Sequence, residues 1–253
     1  MVQNRFDTRI VRYPTGRFNI DLCQVCDPDR LAIELCTKAP GDNDQVPYWA
    51  QIWPVAFALA RFISRKKLPP GLPVIELGCG TGLTGVAAAL AGAKVTFTDY
   101  KEEALLLARV NHMLNLGSFG STALLDWRKP ARGASAQLII AADALYDTDL
   151  ALPLVNTIDS TLAVGGTLLL AHPGREAAEL AVDLLEERGY RHTIHMEKIE
   201  HDEISQEAWV HVFHRSRKRM KSPKKLSGKR LQRGSTTRGR AARGETTQGG
   251  TTP

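Results

Sequence analysis

The chain has 253 residues, enough for one sizeable hydrophobic core and short for two full domains. Its net charge of +6 is unevenly placed: residues 215–253 carry thirteen Lys and Arg against one acid, Glu245, while residues 1–214 carry twenty basic and twenty-six acidic residues. The basic character therefore belongs to a tail, which excludes reading the folded part as a basic nucleic-acid-binding domain.

The opening residues show no basic-then-apolar leader, and no apolar run is long enough to cross a bilayer, so a soluble cytoplasmic protein without membrane contact is expected. Of the four cysteines, Cys23 and Cys26 form half of a zinc pattern whose second half is missing. Reduced structural thiols and no metal site are expected.

Residues 6–22 alternate in polarity around Tyr13-Pro14-Thr15-Gly16, which predicts a hairpin. A short helix is expected over 28–36 with Asp27 as its N-cap, followed by a loop at Asp42-Asn43-Asp44. Pro47-Tyr48-Trp49-Ala50-Gln51-Ile52-Trp53-Pro54 leads into an apolar helix over 55–64, and Pro69-Pro70-Gly71 breaks the chain. From there short apolar strands over 73–77, 94–98, 122–125, 138–142 and 167–171 alternate with helices through Leu90 and over 101–115, 149–162 and 175–188. Such alternation predicts a mostly parallel sheet covered on both faces. The last two strands, over 191–198 and 208–214, lie too close in sequence for a helical crossover and are expected to pair antiparallel.

The expected architecture is a doubly wound, Rossmann-like α/β fold. Its seven-stranded, mostly parallel sheet ends in an antiparallel hairpin. An N-terminal β-hairpin and helix cap covers 1–68, the core covers 69–214, and a basic tail over 215–253, too poor in apolar residues to bury a core, is expected to be disordered.

The strongest chemical signal is Val74-Ile75-Glu76-Leu77-Gly78-Cys79-Gly80-Thr81-Gly82, between a strand and a helix. Glycines serve there where a ligand must approach the backbone. Glu76 at the strand end is expected to accept hydrogen bonds from a cofactor amine or ribose. Asp99 ends the next strand, where a carboxylate accepts two ribose hydroxyls. Gly80-Thr81-Gly82-Leu83-Thr84-Gly85 also fits the dinucleotide fingerprint, so the glycines alone leave NAD and S-adenosylmethionine (AdoMet) both open. Three features favour AdoMet: Glu76 and Gly78 extend the motif upstream, a region able to cap a site precedes it, and the sheet ends in an antiparallel hairpin. Asp126 and Asp143 also fall at predicted strand ends, beyond which open α/β sheets bind their ligands.

Together, the Glu76–Gly85 motif, Leu125-Asp126-Trp127 and Ala142-Asp143-Ala144-Leu145-Tyr146 resemble the seven-stranded class I methyltransferases. More narrowly they resemble the lysine methyltransferase group acting on electron-transfer-flavoprotein β-subunit and on valosin-containing protein. The Pro47-to-Pro54 segment is similar to the stretch before the glycine motif in the flavoprotein-directed members. The resemblance covers about residues 45–175 well and the tail not at all. It implies AdoMet contacts at Trp53, the Gly78-Cys79-Gly80 turn with Gly82, Asp99, Trp127 and Ala142, with Asp126 near the adenine. It places the family's Asp-x-x-Tyr on Asp143 and Tyr146.

Asp143 is expected to orient an incoming amine, with Tyr146 packed or hydrogen-bonded beside it. The Pro-Pro run of adenine-N6 and glutamine-N5 methyltransferases is missing after Asp143, which counts against those substrates. A monomeric lysine methyltransferase acting on a protein partner is the leading expectation. A small-molecule N- or O-methyltransferase is the alternative, followed by a nucleic-acid-associated protein. The basic tail is expected either to contact RNA or acidic surfaces or to be only solubilising. It carries no aromatic side chain for base stacking.

Overall fold

The computed structural model describes residues 5–41, 43–129, 135–201 and 204–215. The tail beyond Arg215, and with it the expected disorder, lies outside the described residues. The order of elements is β1 (Thr8–Thr15), β2 (Phe18–Val25), α1 (Pro28–Lys38), α2 (Pro54–Ser64), β3 (Pro73–Leu77), α3 (Leu83–Leu90), β4 (Lys94–Asp99), α4 (Glu102–Leu116), β5 (Ser121–Leu124), β6 (Ala136–Ala142), α5 (Ala151–Thr161), β7 (Leu162–His172), α6 (Glu176–Glu187), β8 (Arg191–His201) and β9 (Ile204–His214). Short 3-10 turns stand at Asn43–Gln45, Tyr48–Ala50 and Thr148–Leu150.

β1 and β2 form a separate antiparallel hairpin. The other seven strands make one sheet in the order β5-β4-β3-β6-β7-β9-β8. The first five run parallel, and β9 is antiparallel to both β7 and β8. The chain leaves β3 toward β4 and β5 on one side and returns to β6 and β7 on the other, so the strand order reverses between β3 and β6. A crevice at the carboxyl ends of the strands is the geometric result.

The strands are apolar on both faces because both are covered. Leu138 and Ile140 pack with α2 and α3, whereas Ile139 and Ala141 pack with α5 and α6. Leu169 and Ala171 against Leu168 and Leu170 repeat this period of two on β7. Val74 and Glu76 share the α3 face by the same count.

The N-terminal hairpin is stapled to α4 by two amides one helical turn apart. Asn111 Oδ1 accepts from the Cys23 N–H at 2.6 Å, and its Nδ2 donates to Cys23 O at 3.1 Å and Thr81 O at 2.8 Å. Asn115 repeats the pattern on Asp21, at 2.9 and 2.7 Å. Each side-chain amide occupies the place of a neighbouring strand on β2. Asp27 caps α1 as its side chain accepts from Arg30 N at 2.9 Å. The four cysteines are unpaired. Among the described residues no helix is long and apolar enough to cross a membrane.

Several boundaries differ from the sequence expectation: β8 and β9 run longer, to His201 and from Ile204, and three further differences have a structural reason. β7 starts at Leu162 and not after Gly165-Gly166; Gly165 takes φ 78°, and the pairing with β6 shifts register between Ala136 and Leu138, so the chain is already in the sheet before its glycines. β5 stops at Leu124, which leaves Leu125 and Asp126 in the following loop. Arg215, assigned above to the tail, donates from Nη1 to Asp159 O at 2.9 Å and Leu162 O at 2.6 Å, so the ordered fold includes it.

Candidate active site

The glycine turn between β3 and α3 is shaped by backbone that other residues resist. Gly78 has φ 63°, and a Cβ there would stand 2.8 Å from the Ala144 Cβ and 3.5 Å from the Trp127 ring. The turn is tied to β4: Cys79 N donates to Thr98 O at 2.9 Å, and Gly80 N to Asp99 Oδ2 at 3.1 Å. Asp99 Oδ1 accepts from Lys101 N at 3.0 Å. Burial pushes the Asp99 carboxyl above its usual range, against the pull of these amides. Both of its oxygens are fixed by backbone amides.

An open cleft lies over this turn. Nine of the residues singled out in the sequence line it: Trp53, Gly78, Gly80, Asp99, Asp126, Trp127, Ala142, Asp143 and Tyr146. Trp127 lines the cleft and packs against the α5–α6 core layer at once. Trp53 stands just ahead of α2, its indole N–H donating to Tyr48 O at 3.1 Å.

Three others stand behind the cleft wall. Cys79 is buried in the turn, and Gly82 caps α3 at φ 80° with Ala108 closely packed against it. Glu76, expected to face a ligand, points under α3, where Oε1 accepts from Gly85 N at 3.0 Å and Oε2 has no partner among the described residues. Burial, with Asp99 nearby, pushes its carboxyl up to about 8.

Asp143 is the single described non-glycine residue with positive φ, at 49°. Such backbone costs on the order of 1 kcal/mol and is a mark of functional sites. Its side chain is 2% exposed and ion-paired, a partner the sequence reading did not include. Arg175 Nε reaches Oδ1 at 2.5 Å and Nη2 reaches Oδ2 at 2.9 Å, a forked pair. The Arg175 guanidinium also lies 5.5 Å from the Trp53 ring centre.

Residues not selected from sequence complete the rim. Tyr48 stacks obliquely on Tyr146 with ring centres 4.7 Å apart, and the Tyr100 and Tyr146 hydroxyls bond to each other. Arg128 binds Asp126 at 2.8 Å, holding that carboxyl below its usual range, and reaches Asp44 at 3.6 Å. Tyr100, directly after Asp99, was open to discovery by adjacency alone. Arg175 lies 32 residues from Asp143 and left no signal in the sequence. Among the described residues no three His, Cys, Asp or Glu side chains converge as metal ligands would.

The fold is the Rossmann-like α/β fold of known methyltransferases. The N-methyltransferase NodS of Bradyrhizobium japonicum, solved with S-adenosyl-L-homocysteine, is similar with a TM-score of 0.53 at 19% identity, over 74% of this chain and 99% of that one. The magnesium protoporphyrin IX methyltransferase of Synechocystis PCC 6803, solved with S-adenosylmethionine, gives 0.51 at 18% identity, over 69% and 82%. At this identity the likeness concerns the fold. Residues 43–184 match the family described as lysine methyltransferase, and the chain belongs to that family. The electron transfer flavoprotein beta subunit lysine methyltransferase of Danio rerio is 32% identical over 53% of this chain and 52% of that protein. Protein N-lysine methyltransferase METTL21A of Danio rerio is 37% identical over 48% and 58%. The histidine protein methyltransferase 1 homolog of Dictyostelium discoideum is 29% identical over 48% and 41%. The chain thus spans about half the length of the curated relatives it matches.

Proposed function

We propose that the protein is an AdoMet-dependent methyltransferase acting on a lysine side chain of a protein substrate. The observation that carries this reading is one cleft lined by Asp99 and the Gly78–Gly80 turn together with Asp143 and Tyr146. A cofactor of this kind fits the donor set. Asp99 faces the cleft with its carboxylate fixed by backbone amides, ready to accept from a ribose, and the Gly78 and Gly80 backbone lines the same cleft. Trp127, Asp126 and Ala142 would flank the adenine, and Trp53 the amino-acid end. Cys79 and Gly82 would act through the turn's backbone, and Glu76 from beneath it. Bound there, AdoMet supplies a methyl carbon made electrophilic by its sulfonium.

The chain's own residues then position the acceptor and exclude water. A lysine amine attacks only when neutral, against a reference pKa near 10.4. Trp53, Tyr48 and Tyr146 give the apolar stem of the lysine side chain surfaces to pack against. Asp143 directs the amine and Tyr146 packs beside it. Tyr48 and Tyr146 are 38% and 43% exposed at the rim, which supports a side chain entering from a larger partner over a small molecule sealed inside.

The division into a methyltransferase domain and a basic tail, a monomeric state, a cytoplasmic location and a tail that contacts RNA or acidic surfaces complete the proposal. The experiment is to incubate the protein with methyl-tritiated AdoMet and a lysate of the source cells, then hydrolyse the labelled protein. Tritium recovered as methyl-lysine is expected. Tritium in methyl-histidine or only in small molecules would replace lysine as the acceptor.

A further inference from the structure

Arg175 is the partner of a buried charge in the cleft, Asp143, and its delivery is built into the fold. It stands just before α6, at the end of the loop that leaves β7. Gly174 has φ 92°, and a Cβ there would lie 2.7 Å from the Trp209 ring. Its N–H donates to His172 Nδ1 at 3.1 Å. With Nδ1 accepting, the His172 hydrogen sits on Nε2 and is donated to His211 Nε2 at 3.0 Å. Burial pushes both rings down to about 4, so they stay neutral near physiological pH. The loop that carries Arg175 is therefore anchored by neutral, fixed tautomers.

The pairing matters for the chemistry of an amine. A lone carboxylate at this depth would stabilise the ammonium form of an entering lysine, and an ammonium has no lone pair to give. The Arg175 fork offsets that charge while using two of the four lone-pair positions of Asp143, leaving the others for an N–H of the acceptor.

We propose that Arg175 is a positioning residue for methyl transfer: it fixes the direction of the Asp143 carboxylate and offsets its charge, so that the acceptor lysine is received as the neutral amine. The proposal rests on the lysine-methylating reading of the cleft. The ammonium first gives its proton to water. The nitrogen lone pair then forms the N–C bond as the C–S bond breaks, and that bond's electrons stay on sulfur. Asp143 accepts an N–H bond throughout and Arg175 moves no proton. The other titratable groups around the cleft are Asp44, Tyr48, Asp99, Tyr100, Asp126, Arg128 and Tyr146, with His172 behind the Asp143–Arg175 pair; Arg128 is paired with Asp126 and Asp44. None of the hydrogen bonds above gives Asp143 a second cation.

The test compares wild type, Arg175→Gln and Arg175→Lys in tritium transfer from labelled AdoMet into acid-precipitated lysate protein between about pH 6.5 and 9.5, beside calorimetric AdoMet affinity. Arg175→Gln should bind AdoMet normally, transfer about tenfold more slowly at neutral pH, and show a rising limb displaced to alkaline pH by about one unit. Arg175→Lys, which keeps the cation, should leave the limb in place. A limb that stays put in Arg175→Gln, or moves as far in Arg175→Lys, overturns the proposal. If Arg175→Gln does not fold, Arg175→Lys decides alone, because a displaced limb there is enough to overturn it. A wild type that binds AdoMet yet makes no methyl-lysine at any pH contradicts the reading of the cleft, which is a different failure.

Discussion

Two buried carboxylates flank the glycine turn, and their surroundings separate what they do. Asp99 faces the cleft with each oxygen held by a backbone amide, so its remaining lone pairs are aimed before any ligand arrives. Asp99→Ala should weaken AdoMet binding at least tenfold and on the order of a hundredfold, since hydrogen bonds to a charged group contribute about 1.5–3 kcal/mol each; unchanged calorimetric affinity would contradict this. Glu76 faces α3 with one oxygen orphaned, and its carboxyl is pushed up to about 8. An acid whose pKa rises on folding holds a proton that the unfolded chain has released. Its contribution is full below the ordinary carboxylate range and is lost as pH climbs toward 8, by up to about 1.4 kcal/mol per pH unit. Glu76→Gln should remove that slope and be more stable than wild type at pH 8 in denaturant titrations; parallel pH profiles would contradict it. The motif made Glu76 legible as important but not its direction. Strand parity placed it on the Val74 side, under α3, and the superfamily pattern obscured that signal. Asp143 was legible from its strand end. Its guanidinium partner was not, because a contact between residues 143 and 175 depends on how β6, β7 and α6 come together.

At the level of elements, the cap is held by buried side chains of β2 and by two asparagines of α4. Asn111 is fully buried and satisfies three backbone groups on two different segments, Cys23 in β2 and Thr81 in the glycine turn. Asn111→Ala would strand all three, at a cost of about 2–4 kcal/mol. Asn115→Ala, at a half-buried position, should cost less. Thermal melts that rank the two the other way would show that the hairpin is held by apolar contacts alone. The helices and parallel strands were legible from alternation, since apolar runs buried on both faces have few alternatives. The ends of β5 and β7 were not. Gly165-Gly166 looks like a turn, and only pairing with β6 recruits it to the sheet. The role of Asn111 was equally hidden, because an asparagine inside a helix pattern reads as exposed until β2 lies against it.

For the whole molecule, the strand-order reversal between β3 and β6 brings Asp99 and Asp143, from strands two apart in the sheet, to one cleft. The segment through Tyr48 and Trp53 then covers it, with Asp44 meeting Arg128 and Tyr48 meeting Tyr146. Asp99 is held by backbone amides and Asp143 by Arg175, so cofactor binding and methyl transfer should be separable by mutation. The charge split between a mildly acidic fold and a basic tail was plain in the sequence, while the closure of the cleft needed the assembled sheet. The most direct test of the account is methyl transfer by Asp143→Ala, measured at saturating tritiated AdoMet beside wild type with lysate protein as acceptor. Loss of labelled methyl-lysine with AdoMet affinity retained is the predicted result. Transfer at the wild-type rate would contradict it and move the acceptor site away from Asp143.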